Sequence, residues 1–546
     1  MALRSFLTTV ALAGALAVMT NGTAPAFAGT SRPEAAQPAG SCPALFHEED
    51  HRSQGTVTVR GRRIVYEAVA GTIVVHAKGH EDGVPCPRGR DAKGRSEQPP
   101  AEAAMSFVAY FAKKGGSRPR PVTFFFNGGP GSSTVWLHMG AFGPRRVVTS
   151  DAAHTPPAPY RLVENGDSLL DVSDLVFIDA PGTGFGRMAG KDAKKAFWGV
   201  DQDARAFAEF IQRFLTRFDR WNAPKFLFGE SYGTTRAAVL SHLLERRYNI
   251  ALNGVVMLSQ ILNFTLSIDG PESNPGVDLA YALALPSFAA TAWYHGKLPD
   301  APEKLEDLLP AVEAFATGPY LDALMKGAAL SEKERRAVAA QLHRYTGLPV
   351  DYILRANLRI SGGEFEQTLL LPDEKTTGRL DARFAGPTMD PLAKNAAYDP
   401  MDAAIDAAFV AAYNEYARRV LGFPADRKFK VYADVFRDWE FKHRQPGQGF
   451  AFPGPVNVMP DLAAAMAYDP NLKLLVTGGY FDLGTPFYAA RYEIAHLPMP
   501  ARLQKNVTFR FYHSGHMIYL HEPSLKALHD DVAAFIREAA APAGRR

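Results

Sequence analysis

Short apolar runs alternate with helix-patterned stretches through the first half of this chain, and that alternation leaves few folds open. AMSFVAYFA, PVTFFFN, DLVFIDA, KFLFGE and GVVMLSQ (residues 104–260) are runs of the kind buried in a parallel sheet. Between the third and fourth, Val200 to Phe218 spaces Ala204, Phe207, Ala208, Ile211, Phe214 and Leu215 as one face of a helix. Such strand–helix alternation predicts an α/β sheet with helices on its faces. LKLLVTGG and NVTFRFY resume the strand pattern late in the chain, and Pro523 opens a final helix through about Ala539. Upstream, Thr56 to Ala77 alternates apolar and polar residues around Gly61 and Gly71 and reads as two or three antiparallel strands. The rhythm breaks over residues 265–465, where helical stretches such as Lys304–Ala316 and Ala403–Arg419 accompany many prolines. The expected organisation is therefore a first core part with its β segment (56–264), a mainly helical insertion or cap (265–465) and a second core part (466–546).

Composition narrows the functional classes. The 546 residues are 47% hydrophobic and 21% charged, ordinary for a globular protein with a large core. A formal charge of +3 with no long basic run argues against a nucleic-acid surface. Residues 1–28 read as a signal peptide: Arg4, an apolar stretch from Phe6 to Met19, then Ala26-Phe27-Ala28 as a small-x-small cleavage site. Export follows, to a periplasmic or secreted location, with no membrane span once the signal is removed. Residues 29–55 are polar and Pro/Ala-rich and read as a flexible lead-in. The two cysteines, Cys42 and Cys86, are candidates for one disulfide in an oxidising compartment.

The chemistry concentrates in three places. GESYG, Gly229 to Gly233, follows the strand KFLF and precedes a helical stretch, which is G-x-S-x-G in the strand–turn–helix context of an α/β-hydrolase nucleophile elbow. A serine hydroxyl needs a base to take its proton and an acid to orient that base. In this fold the partners follow in the order Ser, Asp or Glu, His, each just past a late strand. Asp482 comes shortly after LKLLVTGG, and His516 comes directly after NVTFRFY, ahead of His513 and His521 as candidates. The developing oxyanion needs backbone N–H donors, one from the residue after the serine (Tyr232) and one from an early strand-to-helix loop. FFFNGGPGSS, Phe124 to Ser133, is that loop, its glycines baring the backbone, and Gly129 is the candidate second donor. No cofactor is called for.

NGGPGSS, DAPGTGF, GESYG, the Asp482 segment and SGHM, in that order, resemble the serine carboxypeptidase family from about Ala104 to Glu522. The early β segment and VWLHMGAFGP resemble its bacterial branch. The resemblance implies an α/β-hydrolase core with a helical insertion, removal of C-terminal residues from peptides, and Ser231, Asp482 and His516 as the triad. It also implies that Asn127, Gly128 and Glu230 hold the substrate's terminal carboxylate. An ionised Glu230 would repel that carboxylate, so it must donate a hydrogen bond in its protonated form. Many relatives supply a second acid shortly after NGGPGSS, but here the stretch is HMGAFGP, without a carboxylate. His138 reads either as a packed turn histidine or as a cationic replacement for that acid.

Three rivals remain. HEEDH, His47 to His51, formally matches a zinc motif, yet it sits in the polar lead-in rather than on a buried helix, so no metal is expected. The same acyl-transfer machinery serves esterases and acyltransferases. A non-catalytic peptide-binding relative is a third possibility. Asn263 and Asn506 open glycosylation sequons.

Overall fold

The computed structural model describes residues 44–80, 98–113 and 119–541. The signal-peptide segment, Cys42 and Cys86 lie outside the described residues.

Ten strands build one sheet: β1 (Asp50–Val59), β2 (Arg62–His76), β3 (Glu102–Ala112), β4 (Val122–Phe126), β5 (Asp174–Ile178), β6 (Arg187–Ala189), β7 (Lys225–Glu230), β8 (Gly254–Leu258), β9 (Lys473–Gly479) and β10 (Val507–Tyr512). Their order is β1-β2-β3-β5-β4-β7-β8-β9-β10, with the short β6 beside β3. From β5 to β10 along that order every pairing is parallel. β1, β2 and β3 are antiparallel to their neighbours. The swap of β4 and β5, with the antiparallel strands on one flank, is the strand order of an α/β hydrolase.

The sheet is buried on both faces, which is why its central strands carry unbroken apolar runs. Alternate side chains of β4 feed opposite layers. Phe124 and Phe126 join one core with Phe207, Ile211 and Phe214 of α1 (Val200–Arg217), Leu240 of α2 (Tyr232–Arg247) and Leu462 of the helix Met459–Tyr468. Phe125 joins the other, with Phe228, Ile405 and Phe409 of the helix Pro400–Arg419, and Leu528 and Val532 of the last helix, Glu522–Ala539. A separate apolar core forms among helices Leu279–Tyr294, Leu305–Phe315 and Glu332–Thr346, with Phe481, Leu483 and Phe487 contributed by the segment after β9.

Several sequence readings change. The run 104–112 is a strand, but antiparallel to all three of its partners; buried on both faces, it carries the same apolar signature as a parallel one. Thr56 to Ala77 belongs to only two strands, because β2 runs straight through Gly71. A Cβ there would strike the Glu49 carbonyl, which accepts from Thr72 N at 2.9 Å, so Gly71 admits a crossing chain rather than a turn. Residues 50–55 are not a flexible lead-in: they pair with β2 in register from Asp50↔Gly71 to Gly55↔Tyr66. The helix Met459–Tyr468 straddles the expected 465 boundary and packs in the core beside α2. Asn506 is buried with Nδ2 donating to Pro470 O at 2.8 Å, which removes it as a glycan acceptor.

Candidate active site

Ser231 is the single residue between β7 and α2, and it holds φ +60° and ψ −129°. For a residue with a side chain this costs about 1–3 kcal/mol, a strain that persists only where neighbours enforce it. Here they do. Ser231 N donates to Leu258 O at 3.0 Å, and Thr234 donates to Ser231 O through N (2.8 Å) and Oγ1 (2.7 Å). A Cβ on Gly229 would collide with the Gly233 carbonyl, and one on Gly233 would lie 2.7 Å from Phe126 O. The elbow thus lifts a partly exposed hydroxyl to the N-terminus of α2.

His516 Nδ1 donates to Asp482 Oδ2 at 2.7 Å, and both side chains are buried. Asp482 also accepts from Thr485 N (2.9 Å) and Thr485 Oγ1 (2.7 Å), which fixes the carboxylate plane. The imidazole backbone is pinned by His516 N donating to Leu380 O and Ser259 Oγ donating to His516 O, at 2.6 and 2.7 Å. Leu258 anchors Ser231 and the next residue, Ser259, anchors His516, so one strand end positions both. Among the described residues, Ser231 Oγ makes no hydrogen bond to the ring. Burial alone would lower the His516 pKa, but the charge and hydrogen bond of Asp482 outweigh it and raise it. His513 instead meets Glu306, and His521 meets Ser524.

The Gly-rich loop folds directly over the elbow. A Cβ on Gly128 would strike Tyr232 N, so only glycine lets the two segments meet. Gly129 has φ +106° and is exposed amid buried neighbours. Neither Gly129 N nor Tyr232 N donates a hydrogen bond within the described residues. Two residues that sequence reasoning overlooked brace this loop. Arg236 of α2, fully buried, donates to Asn127 O at 2.7 Å and to Asp203 of α1 at 2.6 Å. Asp179 of DAPGTGF accepts from Thr134 N at 2.9 Å and Ser106 Oγ at 2.6 Å.

Glu230 is buried beneath the same loop. Burial pushes its carboxyl up to about 7, opposed by the His516 charge and by hydrogen bonds from Tyr519 and Asn127. Tyr519 Oη donates to both carboxyl oxygens, at 3.2 and 3.0 Å. Its ring fits because residue 140 is glycine: a Cβ there would lie 2.6 Å from the ring. His138 does not replace the missing acid. It is buried, stacks on Phe177 at 4.4 Å and bonds Tyr110 Oη through Nε2 at 2.7 Å, while burial lowers its pKa to about 3. Tyr519, three residues past the SGHM histidine, gave no signal of its own in the sequence.

HEEDH runs into the start of β1 at Asp50 and forms no helix, so it lacks the helical face a zinc motif needs. Glu48 and Glu49 are ion-paired with Arg217 and Arg427.

Strand order and elbow define an α/β hydrolase. Residues 97–268 match the family model described as "Serine carboxypeptidase". Over that stretch the chain is similar to that family. Over 133 residues it is 32% identical to the pheromone-processing carboxypeptidase KEX1 of Cryptococcus gattii, covering 24% of this chain and 18% of that protein. Over 197 residues it is 28% identical to a carboxypeptidase Y homolog of Arthroderma benhamiae, covering 35% and 37% respectively. The matches thus span well under half the length of these curated relatives. Among solved structures, the peroxisomal α/β-hydrolase Lpx1 of Saccharomyces cerevisiae overlays with a TM-score of 0.33 at 11% identity, covering 87% of this chain and 90% of that one. That overlay is too loose to carry an argument. In the described residues no helix is long and apolar enough to cross a membrane.

Proposed function

We propose that this protein is an exported serine carboxypeptidase that releases C-terminal residues from peptides through an acyl-enzyme. Ser231 attacks the last peptide carbonyl while His516 takes its proton, and the N–H groups of Gly129 and Tyr232 hold the oxyanion. His516 then passes the proton to the leaving amine, and water reverses the sequence to release the shortened peptide. Asp482 keeps the ring in the tautomer whose Nε2 faces the hydroxyl.

The observation that carries the exopeptidase reading is Glu230. It is a buried carboxyl beside the nucleophile, with Asn127 and Tyr519 against it and a pKa near 7. Protonated, it donates to a substrate carboxylate that Asn127 and Gly128 also contact. Its charge couples to the base: Glu230 in its anionic form raises His516, and the His516 charge lowers Glu230. An arriving carboxylate disfavours the Glu230 anion, so the proton moves to Glu230 and His516 is left neutral, the form a general base requires.

The test compares a peptide with a free C-terminus and its C-terminal amide. KM for the free acid is expected to be constant below about pH 7 and to climb above it, as Glu230 ionises, while KM for the amide stays flat. Equal turnover of both substrates at every pH would rule against carboxypeptidase action and favour a general acyl hydrolase. Tyr519→Phe removes a hydrogen bond that lowers the Glu230 pKa, so the climb in KM is expected to move to higher pH with kcat changed less than about threefold. Steady-state kinetics across pH checks this.

A further inference from the structure

Residues 420–458 join the helix Pro400–Arg419 to the helix Met459–Tyr468 as an irregular strap. It crosses the Gly-rich loop. Ser133 N donates to Val431 O and Ala433 N donates to Gly131 O, both at 2.8 Å. Val435 covers Gly131, where a Cβ would lie 2.8 Å from its methyl group. Trp439 packs edge-on against the Tyr232 ring, with centroids 5.5 Å apart. The strap therefore touches both segments that carry the candidate oxyanion donors.

It is fastened four residues later. His443 is buried, with Nδ1 bonded to Asp201 of α1 at 2.6 Å and Nε2 bonded to Asp461 of the helix Met459–Tyr468 at 2.7 Å. An imidazole can donate through both nitrogens only when protonated. Each carboxylate lies in the first turn of its helix, where the helix dipole favours negative charge. Glu440 adds backbone bonds to the same region, with Val200 N donating to Glu440 O at 3.1 Å.

We infer that His443, as an imidazolium clipped between Asp201 and Asp461, is a positioning residue that holds the strap, and through it Gly129 and Tyr232, in register for oxyanion binding. This rests on the reading of those two residues as donors. A mere surface loop would not need a buried charge between two acids, whose removal leaves an uncompensated carboxylate.

The clip is pH-dependent. Burial lowers the His443 pKa, but the two carboxylates outweigh it and bring it to about 9. The titratable groups facing it are Asp201, Asp461 and, from α2, His242, which acts on Asp461 and His443 and is itself lowered by burial. Because the folded value lies above the ordinary 6.5, the clip is complete below that value and is lost as pH rises through about 9.

Three measurements test it. In the unsubstituted protein, kcat for a peptide substrate is expected to fall above about pH 9, and hydrogen exchange, corrected for intrinsic rate, is expected to rise in the strap and in residues 128–133 together over the same range. His443→Gln is expected to lower kcat about tenfold at neutral pH with KM changed less than about threefold, and to abolish the alkaline limb. His443→Lys, which keeps a charge, is expected to recover part of kcat and to move the limb upward. A kcat flat through pH 9, or exchange in the strap that rises without the Gly-rich loop, overturns the inference. The exchange measurement needs neither a substituted chain nor turnover, so it decides the clip even if the Gln variant fails to fold. Absence of Ser231-dependent turnover in the parent would instead overturn the functional reading.

Discussion

Replacing Ser231 by alanine is expected to lower kcat on a free-acid peptide by about 10⁴-fold or more while leaving the fold intact. Alanine keeps the Cβ, so the φ of +60° is neither relieved nor worsened, and the backbone bonds to Leu258 and Thr234 do not involve the lost hydroxyl. What disappears is the hydroxyl that the proposed mechanism acylates. The residual rate would come from the oxyanion donors and substrate binding alone. Single-turnover kinetics with mass spectrometry of the acylated chain measures this, and thermal unfolding confirms the fold. Parent-level turnover in a folded Ser231→Ala chain would remove Ser231 as nucleophile.

Asp482→Asn is expected to cost about 10⁴-fold in kcat with little change in stability, for a different reason. The amide can still accept from Thr485 N, as the carboxylate does at 2.9 Å. Its NH₂ group, however, would face His516 Nδ1 and force that nitrogen to accept. The ring proton then sits on Nε2, the nitrogen that the proposed mechanism needs free to take the serine proton. The variant also loses the negative charge that raises the His516 pKa, so the acid limb of kcat is expected to move to lower pH. Profiles from about pH 5 to about pH 9 separate the two effects. A normal rate with an unmoved limb would show that another group orients the ring.

The sharp turn at Ser231 and the pairing of Asp482 with His516 were legible because each lies at a strand end in a fixed chain order, and a turn that needs glycine on both sides of a serine leaves a mark in the sequence. The Gly-rich loop was legible for the same steric reason, since Gly128 lies against Tyr232 N. Tyr519 was not, because a tyrosine that packs over a glycine 379 positions earlier looks like any core aromatic. Nor were Arg236 or His443, whose roles depend on Asp203, Asp201 and Asp461 arriving from other helices. The strand Glu102–Ala112 was misread as parallel because burial on both faces erases the alternation that separates the two kinds of pairing.

Local steric and periodic demands thus determined, from the sequence alone, the α/β alternation, the sharp turn at residue 231 and the bare backbone opposite it. Which carboxyl groups are pushed up, and which histidine is raised and which lowered, were decided only on folding. Those properties are set by desolvation and by charges brought together from distant parts of the chain, and neither exists until the packing does.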